Sequence, residues 1–425
     1  MSLKIPLHSF GRPLAWYHRW FWHVGRIVVR LLGGRRDPSM DTIPLQGPAV
    51  VVAPHLSFLD PLFLAAALPR PSRFIAASFF VTKNALLSWL FFLGGVIPVH
   101  HHRKDPTALR RALRLLAQGE LVAFFPEGAR TWTGVPGSPM TPAVKFLMGL
   151  KVPVYLAAFD GAYDSWPRFD SVPRPRKVTV RIAGPLALPH TIHAPARVTN
   201  GIPRPWWSTL YAPGKKAVNR GAEELRSQLT AAAAGEAALL RLEIPGRVKG
   251  LTQVLCFCPE CASAALVWNG GGLACPACGV GFRPAANGRL HRIPTNGGAQ
   301  TDFSLHEAFA RMASAVKARA REGFTLEETV ETAGIPQDLA TARPPPFVSA
   351  SARLDRSGLR IQTNGRGACI PLAAVATSGF MGSETLEITN PSDGTIVYVR
   401  KPGGAMRILL TARAHLGLPL ESMTV

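Results

Sequence analysis

The chain has 425 residues, of which 47% are hydrophobic and 17% charged. That length and apolar content exclude a disordered polypeptide and leave room for two or three domains with sizeable cores. A formal charge of +22 calls for an anionic partner: a nucleic acid, a membrane surface or a phosphorylated substrate.

The basic excess begins at the N-terminus, where Lys4, Arg12, Arg19, Arg26, Arg30, Arg35 and Arg36 all precede the first acidic residue, Asp37. In "PLAWYHRWFWHVGRIVVRLL", Trp16, Trp20, Val24, Ile27, Val28 and Leu31 recur at three- and four-residue steps, with Arg19, Arg26 and Arg30 on another face. That is an amphipathic helix. Three central arginines argue against a spanning helix, and no uninterrupted apolar region leads to a cleavage site, so a signal peptide does not fit. Residues 1–38 are expected to lie in a membrane interface. The alternative is a helix packed on its own domain.

Strand-like and helix-like runs then alternate. "AVVVA" (49–53) reads as a strand, followed by a helix over 58–68 and a strand in "RFIAASFF" (73–80). "ALLSWLFFLGGVIPV" (85–99) is short for a span and carries Gly94, Gly95 and Pro98. It reads as a buried helix leading through a glycine turn into a strand, with a re-entrant membrane contact as the alternative. A helix over 107–120 sets Leu109, Leu113 and Leu116 in register. "LVAFF" (121–125) and "VPVYLAAF" (152–159) are strands, and "KVTVRIAG" (177–184) alternates like an edge strand. Strands separated by helices indicate an α/β domain over 39–245. In "IPRPWWSTLYAPG" (202–214), Trp206 and Trp207 are expected on a lipid-facing loop, and the helical "NRGAEELRSQLTAAAAGEAALLRL" closes the domain.

Cysteines appear next. Cys258 and Cys261 form one C-x2-C knuckle, and Cys275 and Cys278 form another. Paired knuckles at this spacing predict a zinc ribbon over 250–290, in which the metal supports a fold too small for its own core. Cys256 reads as a spare and Cys369 as a packing residue in a strand. Capping boxes at Ser304/Glu307 and Thr325/Glu328 predict two short helices in a helical linker over 300–340. Residues 345–425 turn strand-rich and end in a helix. That pattern resembles a pleckstrin-homology-like barrel, which implies docking to lipid or protein.

Two motifs carry chemistry. His55 and Asp60 interrupt the apolar "VVVAPHLSFLDPLFLAAAL". Within one helix, five residues place side chains ~140° apart. With His55 on the loop after a strand and Asp60 in the first helical turn, the carboxylate can reach back to one ring nitrogen. It would then fix the tautomer and leave the other nitrogen to take a proton. The plainer reading is a core histidine with an acid capping a helix. In "LVAFFPEGARTWTG", a strand ends in a tight turn holding Glu127, Gly128 and Arg130, where open α/β sheets bind ligands. Arg130 suits phosphate or carboxylate oxygens. A surface salt bridge in a loop is the plainer reading here.

Together, "H-x4-D" and "FPEG-x-R" resemble the glycerolipid acyltransferases, specifically the lysophosphatidic acid acyltransferase family, over about residues 40 to 235. The resemblance implies that His55 is the general base for an acceptor hydroxyl, that Asp60 supports it, and that Glu127, Gly128 and Arg130 bind the glycerol-phosphate part. It also implies that acyl-CoA or acyl carrier protein brings the acyl group and that catalysis needs no metal. Ser57 matches a serine often present in the first motif. The family's intermediate block, "G-x-I-x-V-x-R", aligns with "GGVIPVHHHRKD", where His101 replaces the arginine and Arg103 follows two places on. Ala129 replaces a threonine, Leu156 a second proline, and Pro54 a residue that is commonly Asn. The departures fall on the acceptor-binding side.

The expected protein is therefore an α/β acyltransferase-like sheet with flanking helices, followed by a zinc ribbon and a mainly β C-terminal domain. It would be membrane-associated on the cytoplasmic face and act on a lysophospholipid, most simply 1-acylglycerol-3-phosphate. The alternatives are a non-catalytic membrane adaptor and an enzyme for another lysolipid or an aminolipid. Interfacial tryptophans and the apolar 85–99 run count against nucleic acid.

Overall fold

The structure is a computed structural model. It describes residues 9–10, 16–78, 81, 85–99, 105–170, 172–174, 176–186, 198–199, 202–203, 215–233, 247–269, 271–285, 287–295, 300–333, 347–363, 366–381, 384–389, 396–401 and 403–420.

After a first helix, α1 (Trp16–Leu31), the chain builds a seven-stranded sheet. Its strands are β1 (Gly34–Arg36), β2 (Ala49–Val52), β3 (Ser72–Ala77), β4 (Ile97–Val99), β5 (Leu121–Phe124), β6 (Val154–Asp160) and β7 (Val178–Ala183). Their spatial order is β1-β7-β6-β2-β5-β3-β4, and neighbours run parallel except β6 and β7. Parallel neighbours need crossovers, which the intervening helices supply. Central strand β2 is covered on both faces, which is why "AVVV" carries no polar residue. Alternate side chains take opposite faces. Val51, Ala123 and Tyr155 join Phe63 and Leu64 of α2 (Asp60–Ala67). Val50, Val122 and Val154 pack with helices Pro106–Ala117, Thr141–Gly149 and Lys215–Ala232. Helix Pro106–Ala117 starts where Asp105 accepts from the N–H groups of Thr107 and Ala108, with proline just inside.

The chain continues through a short pair, β8 (Val198–Thr199) and β9 (Ile202–Pro203), to an antiparallel five-stranded sheet. Its strands are β10 (Val267–Trp268), β11 (Leu273–Ala274), β12 (Gly281–Pro284), β13 (Leu290–Ile293) and β14 (Thr301–Phe303). Helix Leu305–Arg321 follows, opened by the expected capping box of Ser304 and Glu307. Seven further strands form an antiparallel sheet in the order β18-β17-β16-β15-β21-β20-β19. They are β15 (Leu326–Ala333), β16 (Phe347–Asp355), β17 (Gly358–Thr363), β18 (Arg366–Ile370), β19 (Gly379–Met381), β20 (Thr385–Thr389) and β21 (Ile396–Arg400), and helix Gly404–His415 closes the chain's C-terminal unit.

Several expectations are corrected. The segment from Thr325 is strand β15, not a helix. Leu326, Glu328, Val330 and Thr332 alternate inward, and the inward Glu328 is paired with Arg407 and Lys401, so the period of two was disguised as a capping box. "KVTVRIAG" is not an edge, because β1 covers β7 through a parallel pairing of Gly34 with Val178. Leu109 is 40% exposed; Ala108, Ala112, Leu113, Leu115 and Leu116 form the buried face instead. Helix Ala85–Leu93 is not buried: Leu86 is 70% exposed, and Trp89 and Leu90 are exposed as well. Cys369 lies in β18 but is exposed rather than packed. Trp206 and Trp207 lie outside the described residues.

The apolar face of α1 points outward. Trp16, Trp20, Ile27 and Leu31 are exposed, while the opposite side docks on the domain. There His18 Nδ1 lies 2.7 Å from the Leu93 carbonyl, and Trp22 Nε1 donates to the Ala65 carbonyl at 2.8 Å. Among the described residues, no helix is long and apolar enough to cross a membrane.

Candidate active site

Register brings the two motifs together. Val52 pairs with Phe124, and both strands end there, so the loop carrying His55 and the loop carrying Glu127 leave the same sheet edge side by side. β6, on the other flank of β2, delivers a third loop from Gly161 to Asp170. This is the carboxyl end of parallel strands, where open α/β sheets form ligand crevices.

Asp60 opens α2, and its Oδ2 gathers three donors. The N–H groups of Leu56 and Ser57 donate at 2.6 and 2.7 Å, and His55 Nδ1 lies at 2.9 Å. The carboxylate is fully buried, whereas the His55 side chain keeps 19% of its surface. The imidazole stacks on Phe125 with centroids 4.1 Å apart. Nδ1 is thus committed, and Nε2 makes no hydrogen bond among the described residues. Burial pushes the His55 pKa well below the ordinary imidazole range, and the charges of Arg130 and Arg168 push the same way. Burial raises the Asp60 carboxyl, against the N–H bonds from Ser57 and Leu56. Asp60 Oδ2 already accepts from two N–H groups, so a neutral ring donating to it through Nδ1 would leave the Nε2 lone pair open.

The second loop grips His55 by its backbone. Glu127 Oε1 accepts from the His55 N–H at 3.0 Å, and the Thr131 N–H donates to the His55 carbonyl at 2.8 Å. The other Glu127 oxygen accepts from the Gly137 N–H at 3.2 Å. Glu127 is fully buried, and burial lifts its pKa to about 8. Its carboxyl therefore braces the loops instead of facing solvent. Gly128 turns the chain with φ +75°, and a Cβ there would fall 2.7 Å from the Met140 side chain. The left-handed backbone favours glycine, while the end of the flexible Met140 side chain could move aside. Ser57 is also buried: its Oγ lies 2.9 Å from Ser165 Oγ and accepts from the Leu59 N–H, so the hydroxyl ties the first loop to the third.

Arg130 makes no ion pair among the described residues. Its guanidinium lies over Phe58, 5.3 Å from the ring centroid, and burial lowers its pKa to about 10. His101 and Arg103 lie outside the described residues. Arg168, on the third loop, escaped the sequence reading. It is buried, stacks on Trp132 and donates to the Arg130 carbonyl at 2.9 Å. The sequence signal was slight: an arginine after Trp-Pro, beyond a strand adjacent to β2.

Away from this edge, Cys258, Cys261, Cys275 and Cys278 converge. Their sulfurs all lie within 4.8 Å of one another, with Cys258–Cys278 at 3.7 Å and Cys261–Cys275 at 3.6 Å. A tetrahedral ion with bonds of about 2.3 Å sets its thiolates about 3.8 Å apart, so the donor set fits a metal ion of that kind.

Residues 36–159 match the family model described as Acyltransferase. His55, Asp60, Glu127 and Arg130 fall inside that match; Arg168, the cysteines and the C-terminal sheet lie beyond it. The chain is 38% identical over 115 residues to a chloroplastic 1-acyl-sn-glycerol-3-phosphate acyltransferase of Arabidopsis thaliana, covering 26% of this chain and 30% of that protein. It is 26% identical over 137 residues to the 1-acyl-sn-glycerol-3-phosphate acyltransferase of Bacillus subtilis (strain 168), covering 32% of this chain and 67% of that protein. The crystal structure of the 1-acyl-sn-glycerophosphate acyltransferase PlsC from Thermotoga maritima aligns with a TM-score of 0.35 at 20% identity, over 49% of this chain and 80% of that one.

Proposed function

We propose that the protein is an O-acyltransferase that moves an acyl group from a thioester to a lysophospholipid hydroxyl, with 1-acylglycerol-3-phosphate as the leading acceptor and phosphatidic acid as product. The observation that carries this is the His55 Nδ1–Asp60 Oδ2 contact of 2.9 Å beside a ring nitrogen left for substrate. In this reading His55 Nε2 takes the proton of the acceptor hydroxyl as its oxygen attacks the thioester carbonyl. Asp60 stabilises the imidazolium so formed. The tetrahedral intermediate expels the thiolate, which takes the proton back from His55 and leaves as free thiol. Arg130 holds the acceptor's phosphate, and Gly128 lets the loop turn close beneath it. Glu127 and Ser57 act by holding the loops in place. The donor is acyl-CoA or acyl carrier protein, and these steps use only protein groups.

The uncovered apolar faces of α1 and helix Ala85–Leu93 support a second element of the proposal, docking to a membrane surface. Tryptophans with basic residues on one helix suit the headgroup region, and in this reading the domain lies on the cytoplasmic face. The four cysteines would hold a structural zinc ion. The seven-stranded sheet closed by a C-terminal helix supports the pleckstrin-homology-like reading, hence a docking role.

Purified protein given acyl-CoA or acyl carrier protein thioester, with lysophosphatidic acid, glycerol 3-phosphate, lysophosphatidylglycerol or an aminolipid, tests the reading. Thiol release with formation of phosphatidic acid is expected. Binding to vesicles without transfer to any acceptor would favour the adaptor instead.

A further inference from the structure

The loop that holds the His55 backbone is itself held from outside residues 36–159, the stretch that matches the family model. Its turn is tied on itself. Thr131 Oγ1 accepts from the Thr133 N–H at 3.2 Å and donates to the Val135 carbonyl at 2.6 Å. From this turn one bond leads inward, from the Thr131 N–H to the His55 carbonyl at 2.8 Å. Another contact leads outward. Thr133 Oγ1 lies 3.2 Å from Nδ1 of His306, 173 residues further along the chain. Three hydrogen-bond contacts in series thus join the His306 ring to the backbone of His55.

His306 is a fixed anchor for this series. It lies in the first turn of helix Leu305–Arg321, where Ser304 and Glu307 close the capping box and Arg289 Nη2 donates to Glu307 Oε2 at 2.7 Å. A capping box pairs backbone N–H groups and so fixes how the helix begins. Leu305 and Phe309 of that helix share one apolar core with Trp132, Tyr163 and Phe169 of the site loops. Tyr163 Oη donates to the Trp132 carbonyl at 2.7 Å. Gly250 packs so closely on Phe169 that a Cβ there would fall 2.4 Å from the Phe169 carbonyl oxygen. Thr133 itself is 6% exposed, and a buried hydroxyl deprived of its partner is costly. The contact therefore joins two packed surfaces.

We propose that His306 is a positioning residue for the His55 base. Through Thr133 and Thr131 it sets where the His55 backbone stands, and so where the ring meets an acceptor hydroxyl. A displacement of about 1 Å at reacting groups can cost about 100-fold in rate, so a brace on the base acts on turnover. The Arg130 side has a hold of its own: Arg168 Nη1 donates to the Arg130 carbonyl at 2.9 Å, and the Arg130 guanidinium overlies Phe58. Loss of His306 therefore bears on kcat more than on KM. The inference rests on the acyl-transfer reading above and extends its site to the C-terminal part of the chain.

His306→Ala removes the imidazole, and Thr133→Val removes the hydroxyl with little change of shape. With acyl donor and lysophosphatidic acid, each is expected to lower kcat by about 10-fold and to leave KM within about threefold. The double variant should be no slower than the slower single, because both substitutions cut one link. His306→Asn, which returns a polar group near the position of Nδ1, should recover most of the loss. His291→Ala is the control: it breaks another histidine contact in the same part of the chain, to Asp302, and should leave kcat unchanged. Amide exchange gives a readout apart from turnover. The Thr131 N–H should exchange faster in both single variants, while the N–H groups of β15 exchange as in the parent. Parent kcat in both singles, losses that multiply in the double variant, or an equal loss in His291→Ala overturn the proposal. If His306→Ala does not fold, parent kcat in folded Thr133→Val overturns it alone. Parent protein that transfers no acyl group overturns the acyl-transfer reading, and Thr131 exchange in the variants then decides the brace: faster exchange upholds it and unchanged exchange overturns it.

Discussion

The His55–Glu127 sheet edge and the four-cysteine cluster reach order by opposite routes. In the cluster, cysteines close in sequence form two knuckles that come together locally. At the sheet edge, His55 and Glu127 meet through strand register, and the His55 backbone is held by the Glu127 carboxyl and the Thr131 N–H of a loop far away in the chain. On the proposed reading, the cysteine cluster would depend on a bound metal, whereas the His55–Asp60 pair depends on a scaffold set by strand register. Damage to the first should appear as lost structure. Damage to the second should appear as lost turnover.

The largest structural effect is expected from Cys275→Ser. Structural zinc contributes about 10–16 kcal/mol of apparent binding free energy in small metal-dependent domains. Loss of one of four ligands should abolish stoichiometric metal and unfold the ribbon, as read by metal analysis and by an early thermal transition. A variant that keeps both metal and a single transition would remove the contrast. Asp60→Asn should leave the fold intact and lower kcat by about 10³-fold or more, because the amide cannot stabilise the imidazolium; steady-state kinetics beside thermal unfolding reads both. Glu127→Ala occupies the middle ground. It leaves the N–H groups of His55 and Gly137 without their acceptor and should cost about 1–3 kcal/mol in denaturant unfolding. Glu127→Gln, which keeps a carbonyl for one of them, should cost less.

The smallest effect is a shift in pH dependence. The His55 pKa is depressed, so the unfolded chain binds its proton at a higher pH than the native one does. The native ring stays an active base as pH falls through the ordinary imidazole value, and its part in stability is lost as pH falls below that value. The acid limb of kcat/KM for the acyl donor should therefore lie below pH ~6.5. Arg168→Gln removes a repelling charge and should move the limb upward. A parent limb at or above the ordinary value would contradict the buried, neutral imidazole.

Much of the fold could be read because apolar runs in covered parallel strands are hard to mistake, as in "AVVV" and "LVAF". The reading failed where a long-range partner changed what a residue could tolerate. Glu328 points inward because Arg407 and Lys401, far along the chain, neutralise it. β1 is Gly-Arg-Arg, with no strand signature, and forms because β7 presents an edge to pair with. At the site, the spacing of His55 and Asp60 was legible once the helix start was placed between them. The buried stance of Glu127 was not, because the donor it serves is the backbone of another loop. Arg168 had no motif to mark it; only the adjacency of β6 and β2 brings it to Arg130.

The most direct test is His55→Ala, assayed with acyl donor and lysophosphatidic acid while metal content and thermal unfolding are followed in the same preparation. Loss of acyl transfer by about 10³-fold or more, with metal content and unfolding unchanged, is the predicted result. Transfer at the parent rate in the folded variant would contradict a base at His55 and return the His55–Asp60 pair to a purely structural role.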